Sequence, residues 1–150
     1  MRISEEFKNI DQIRECSELG DYKAQYELGV LYEIGEQFPQ DYVEAFKWYE
    51  ISAELGNIDA QKKLGFAYYN GLGTQKNSGE GYAWYKAAAG QGDQEAQYHI
   101  GSACYEANNH NNAYLWLSLS LTNGYEAAGK KLTELESIID PKEKEKAQVL

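Results

Sequence analysis

Apolar residues recur along this chain at helical spacing, and the pattern itself recurs. Ala24, Leu28, Leu31 and Tyr32 fall at i, i+4, i+7 and i+8, one face of an α-helix. The run Ala24-Gln25-Tyr26-Glu27-Leu28-Gly29 returns as Ala60-Gln61-Lys62-Lys63-Leu64-Gly65, and again as Ala96-Gln97-Tyr98-His99-Ile100-Gly101, 36 residues later each time. Trp48-Tyr49 becomes Trp84-Tyr85 at the same step, and Gly20, Gly56 and Gly92 keep it as well. The next copies, Trp116 and Gly124, arrive after 32 residues, because four have been lost between Cys104 and Ala113. Ala128 and Leu132 then hold the phase of Ala24 and Leu28. Three markers sharing one period describe a repeat protein, whose units bury their apolar faces against one another.

Each period reads as two helices. The first follows Gly20-Asp21, Gly56-Asn57 or Gly92-Asp93, where Asp and Asn suit the N-cap because their oxygens accept from free first-turn amides. It stops near Gly35 and Gly71, glycines free to turn left-handed. The second opens after Asp41, Asn77 or Asn109 and presents Ala45, Trp48, Tyr49 and Ala53 on one face. Gly29, Gly65 and Gly101 sit inside helices, where glycine costs about 1 kcal/mol relative to Ala; a close crossing of helix backbones would justify them. The pattern predicts helices over 4–19, 22–34, 41–55, 58–70, 78–91, 94–107, 111–123 and 126–139, and a short one after Asp140-Pro141. The expected organisation is a single repeat domain over 1–150. It has a capping helix at 1–20, repeats at 21–56, 57–92 and 93–124, and a half repeat with a polar cap at 125–150.

Charge narrows the partners. The 150 residues carry 24 acidic and 14 basic side chains, a net of −10. Nucleic acid would call for a basic footprint; this balance suits a basic partner instead. Arg2, Glu5, Glu6 and Lys8 follow Met1 with no apolar stretch among them, and no apolar run reaches 18 residues, so neither a secretory signal nor a membrane span is expected. Cys16 and Cys104 make no disulfide framework, so the expected location is a reducing cytoplasm.

Catalytic chemistry is sparse. His99 falls in a variable, solvated register and His110 in an Asn-rich turn, neither at metal-ligand spacing from a second ligand. Cys104 occupies a core register and Cys16 the first helix, which favours packed thiols. Trp48, Trp84 and Trp116 recur with the repeat and read as core. The glycines of Gly71-Leu72-Gly73 and Gly90-Gln91-Gly92 follow no strand, so no phosphate loop is expected. The expectation is no catalysis, no cofactor, no metal and no small-molecule substrate.

In combination, Ala-x-x-x-Leu-Gly-x-x-Tyr, the Gly71-Leu72-Gly73 turn, Ala-x-x-Trp-Tyr and the closing Gly-Asn/Asp resemble Sel-1-like repeats, relatives of the tetratricopeptide repeat, over about residues 20–132. Departures are Glu36-Gln37-Phe38-Pro39-Gln40 in place of the Gly-x-Gly turn, Gly81 at the register of Ala45, and Cys104 where copies one and two have Tyr32 and Tyr68. The resemblance implies an all-α, right-handed α/α superhelix, a solenoid of about three helix pairs with terminal half repeats. It also implies a bacterial, non-catalytic interaction module.

In such solenoids the first helix of each pair lines the concave face. The positions between its core residues are then the candidate partner surface. They are Lys23, Tyr26, Val30, Glu33 and Ile34 in the first repeat, and Asp59, Lys62, Phe66, Tyr69 and Asn70 in the second. The third contributes Glu95, Tyr98, Ser102, Tyr105 and Glu106. Tyrosines provide large contact area with few rotamers to freeze, and the carboxylates would steer a basic segment. The expected function is protein binding. Three versions stay open: an immunity protein that neutralises a basic bacterial toxin or effector, an adaptor for short peptides or signalling proteins, and a glycan-binding module.

Overall fold

A computed structural model describes residues 9–142 and 145. Among them are eight helices and no strand: α1 (Ile10–Glu18), α2 (Tyr22–Ile34), α3 (Tyr42–Glu54), α4 (Ile58–Asn70), α5 (Ser78–Gly90), α6 (Gln94–Glu106), α7 (His110–Thr122) and α8 (Ala127–Glu136). The expected start of α1 over 4–8 and the cap residues 143, 144 and 146–150 lie outside the described residues. Pro141 and Lys142 are helical as expected, and the Lys142 amide donates to Asp140 Oδ1 at 2.7 Å.

The caps set these bounds. Asp21 Oδ1 accepts from the amides of Lys23 and Ala24 at 2.9 and 3.1 Å, Asn57 Oδ1 from Ala60, and Asp93 Oδ2 from Ala96. Asp41, Asn77 and Asn109 do the same for α3, α5 and α7. Gly35 and Gly71 leave α2 and α4 in the left-handed conformation, at φ 78° and 69°.

One hydrogen bond closes each hairpin between paired helices: Asp41 N donates to Tyr32 O, Asn77 N to Tyr68 O and Asn109 N to Cys104 O, at 2.8–2.9 Å. The partners lie nine positions apart in the first two loops and five in the third. The deletion therefore removes loop and spares the closing bond. In the long first loop Phe38 stacks on Tyr32 at 4.7 Å. Cys104 occupies the equivalent register in the short hairpin and is buried.

Consecutive pairs are tied by a bond the periodicity does not advertise. Gln25, Gln61 and Gln97, all buried, each donate from Nε2 at 3.2 Å to the carbonyl eight residues earlier, on Ser17, Ala53 and Ala89. Each glutamine adds a second donor to a carbonyl at the preceding helix end that also accepts from the amide of Gly20, Gly56 or Gly92.

By internal contacts the described chain forms two compact units that divide between Trp84 and Tyr85. In the first, Ile13, Ala24, Leu28 and Leu31 form one buried cluster, and Ala45, Tyr49, Ala53, Ala60 and Leu64 another. In the second, Ala96, Ile100, Ala113, Leu117, Ala128 and Leu135 are almost fully buried. A fully buried Leu or Ile contributes about 1.5–3 kcal/mol.

The tryptophans depart from expectation. Trp48 and Trp84 are half-buried and pack on the flanks of the two first-unit clusters, and Trp116 is also half-buried. The buried member of each pair is the next residue: Tyr49, Tyr85 and Leu117. These neighbours explain the helical glycines. A Cβ at Gly29 would stand 2.7 Å from the Tyr49 ring, and one at Gly101 would stand 2.8 Å from Leu117 Cγ and 3.1 Å from its amide nitrogen. A Cβ at Gly81 would meet the Gly65 carbonyl oxygen at 3.0 Å. The close crossing inferred at Gly65 is thus present, and it accounts for Gly81 in place of Ala45.

Candidate functional site

The expected surface divides into used and open portions. In the first unit, Tyr26 and Val30 pack against the Ala45–Leu64 cluster rather than facing outward alone. The Tyr26 and Tyr49 ring centroids are 5.8 Å apart. Glu33 is also engaged: the Tyr49 hydroxyl donates to it in a short hydrogen bond, and Lys63 Nζ stands 3.0 Å from its Oε2. The same ammonium lies 5.9 Å from the Tyr49 ring centroid. Lys23 and Ile34 are exposed.

This arrangement holds both phenols neutral. Burial pushes the Tyr26 hydroxyl up to about 12, with the charges of Asp59, Glu27 and Glu33 adding to the effect. Tyr49 is raised as well, first by burial and then by its hydrogen bond to Glu33, which a phenolate could not donate.

On α4, Phe66 is 51% exposed and Asp59 and Asn70 are exposed. Lys62 pairs with Asp59 at 3.8 Å, and the Asn70 amide donates to Phe66 O at 2.9 Å. Tyr69 is half-buried, with its ring 2.8 Å from where a Gly81 Cβ would stand, so it packs on α5. Phe66 is therefore the open aromatic of this helix. It borders a crevice lined by Tyr42, Phe46, Leu72 and the Glu33–Lys63 pair, with an inner volume of about 20 Å³. A void of that size admits about one water-sized group, whereas small-molecule pockets run to roughly 300–1,000 Å³.

In the second unit, Glu95 and Glu106 are exposed, and Tyr98, Ser102 and Tyr105 half-buried. Ser102 Oγ is buried without a hydrogen-bond partner among the described residues. His99, expected to be solvated, is half-buried instead. It stacks on Tyr85 at 4.4 Å and meets Tyr98 edge-on at 5.9 Å, with Glu95 Oε1 3.9 Å from its Nε2. Stacking on a buried tyrosine shields one ring face from water.

Lys131, on α8, was not anticipated as part of this surface. Its Nζ lies 5.8 Å from the Tyr98 ring centroid and 5.5 Å from that of Tyr105. The repeat phase could have pointed to it, because Glu27, Lys63, His99 and Lys131 share one register.

No group of three or more potential metal ligands is assembled among the described residues. No helix there is long and apolar enough to cross a membrane.

Comparisons with known proteins agree with this architecture. The Sel1 repeat family matches residues 23–57 and 58–93. A Sel1 repeat protein from Oxalobacter formigenes is 31% identical over 85% of this chain and 99% of its own, with a TM-score of 0.77. A protective antigen present in uropathogenic Escherichia coli strains, displaying an SLR fold, is 33% identical over 85% of this chain, with a TM-score of 0.82. This chain spans 28% of that protein's length. Helicobacter pylori cysteine rich protein B is 26% identical over 57% of this chain and 65% of its own, with a TM-score of 0.56. The curated proteins returned no match.

Proposed function

Because this chain belongs to the Sel1 repeat family, whose members are generally non-catalytic protein-interaction modules, we propose that it binds a basic protein through the open face of α4. One observation carries this reading. Phe66 holds a large apolar ring 51% exposed beside a crevice, with Asp59 and Asn70 on the same helix. An exposed aromatic at the mouth of a crevice is the kind of anchor that dominates interface energies. The net charge of −10 adds long-range attraction for a basic surface.

Within protein binding, we favour neutralisation of a basic toxin or effector domain in the cytoplasm over an adaptor role. A small acidic chain suits capture of one folded basic partner, which would bury about 1,600 Å² in total. The adaptor version would hold several peptides more weakly. The narrow crevice argues against its use as a glycan pocket.

Affinity capture from native-strain lysate with mass spectrometry tests the reading. One stoichiometric basic partner, diminished by Phe66→Ala, is the expected result. Several sub-stoichiometric partners would favour the adaptor. Undiminished capture by Phe66→Ala would overturn the assigned face.

A further inference from the structure

The register shared by Lys63 and Lys131 shows one structural position solved in two ways. Lys63 reaches back to the preceding first helix and meets the carboxylate of Glu33 at 3.0 Å. Lys131 reaches back to α6, where the residue equivalent to Glu33 is Tyr105. Its ammonium therefore lies over two rings, Tyr98 and Tyr105, within 6 Å of both centroids. Among the described residues no carboxylate stands within ion-pair distance of it. Tyr125 packs against Tyr98, with ring centroids 5.1 Å apart and planes tilted by 43°, and restrains that ring.

Two tyrosine rings on one cation are the elements of an ammonium-binding site. What holds the cation is also weak. The stations differ at Tyr105, where the first has Glu33, and at Leu117, where it has Tyr49; the change from Glu33 to Tyr105 replaces a charge-assisted contact with ring quadrupoles alone. A half-buried lysine held in this way can leave, because its long stem lets the ammonium return to water.

We propose that Tyr98 and Tyr105 form a recognition site for an ammonium-bearing side chain, a lysine or methylated lysine on a basic protein segment, with Lys131 its exchangeable internal occupant. The incoming ammonium takes the place of Lys131 over the two rings. The exposed carboxylate of Glu106, adjoining Tyr105, and the net charge of the chain favour its approach. This assignment rests on the reading of the chain as a binder of basic protein, and it adds the chemical group that α6 recognises.

The test uses a glycine–serine heptapeptide carrying one central trimethyllysine, and its twin in which an uncharged tert-butyl group replaces the trimethylammonium. Titrations followed by the ring resonances of Tyr98 and Tyr105 are run on the whole chain and on Lys131→Met. The charged peptide is expected to shift both rings, and to bind Lys131→Met about two- to fivefold more tightly than wild type, the size of one exposed cation–π contact. Tyr105→Phe in the Lys131→Met background should keep that affinity, and Tyr105→Leu should lose it. Equal binding of the uncharged peptide, or identical affinities for wild type and Lys131→Met, would overturn the proposal.

The resting contact has a check that needs no variant. The ε-methylene protons of Lys131 should be shifted upfield by the rings in the free protein, and random-coil positions would contradict the proposal. Lysate capture abolished by Phe66→Ala but untouched by Tyr98→Leu/Tyr105→Leu would overturn this site while leaving the protein-binding reading in place. Peptide binding with no protein captured would support the ammonium site and remove that reading.

Discussion

Three kinds of residue carry the chain's specific chemistry: the interhelical glutamines, the helical glycines and the buried phenols. Gln61 donates to Ala53 O in a buried setting, and that carbonyl also accepts from Gly56 N at 2.9 Å, so Gln61→Leu removes the interhelical bond without leaving the carbonyl unpaired. The expected loss is about 0.5–1.5 kcal/mol, the net worth of one hydrogen bond, read from urea unfolding. Gly81→Ala places a methyl 3.0 Å from the Gly65 carbonyl oxygen and 2.8 Å from the Tyr69 ring. It should cost about 1–3 kcal/mol through overpacking, and an unchanged melting temperature would show that the crossing is loose. The phenols predict an alkaline limb. Tyr26 keeps its proton up to about 12 when folded, against an ordinary value of 10.0 when unfolded. The folded state thus binds more protons above pH 10, and the stabilisation, complete below that value, is lost as pH rises toward 12. Tyr26→Phe should flatten the fall in the urea midpoint over this window.

At the scale of helices, each hairpin depends on its cap and its closing bond. The short third hairpin turns through Asn108 at φ 58°, the one non-glycine with positive φ among the described residues. Asn108→Val should cost about 1–2 kcal/mol because a β-branched residue fits that conformation poorly, whereas Asn108→Gly should be neutral or slightly stabilising, both read by thermal unfolding. Trp84 flanks its cluster at half burial, so Trp84→Ala should fall below the roughly 3–5 kcal/mol of a fully buried tryptophan. The helices were legible because caps and glycines recur at fixed offsets: α2 and α4 run over 22–34 and 58–70, as the spacing predicts. Apolar spacing identified the buried face but could not rank Trp against Tyr within it, since both are large aromatics. The register of Lys63, His99 and Lys131 looked solvated because its residue types differ from copy to copy. Those side chains find their partners across helices, on Glu33, Tyr85 and Tyr98/Tyr105, and such contacts depend on the pairing of helices rather than on local sequence.

For the whole molecule, acidity and open aromatics point the same way. Of the candidate partner residues, Lys23 and Ile34 on α2, Phe66, Asp59 and Asn70 on α4 and Glu95 and Glu106 on α6 stay exposed, while Tyr26, Val30 and Tyr69 are partly spent on packing. Sequence spacing placed these side chains on the right helices without showing which ones neighbouring helices would cover. If net charge speeds the encounter, association with a basic partner should slow markedly from about 0.05 to 0.5 M salt, while dissociation, governed by the aromatic anchor, changes less. The central claim is that the open face of α4 holds a protein partner. It is tested most directly by calorimetric titration of the captured partner into wild type and Phe66→Ala, with melting temperatures measured alongside. The account predicts at least about tenfold weaker binding, roughly 1.4 kcal/mol, with an unchanged melting temperature. Equal affinity for both proteins would contradict it.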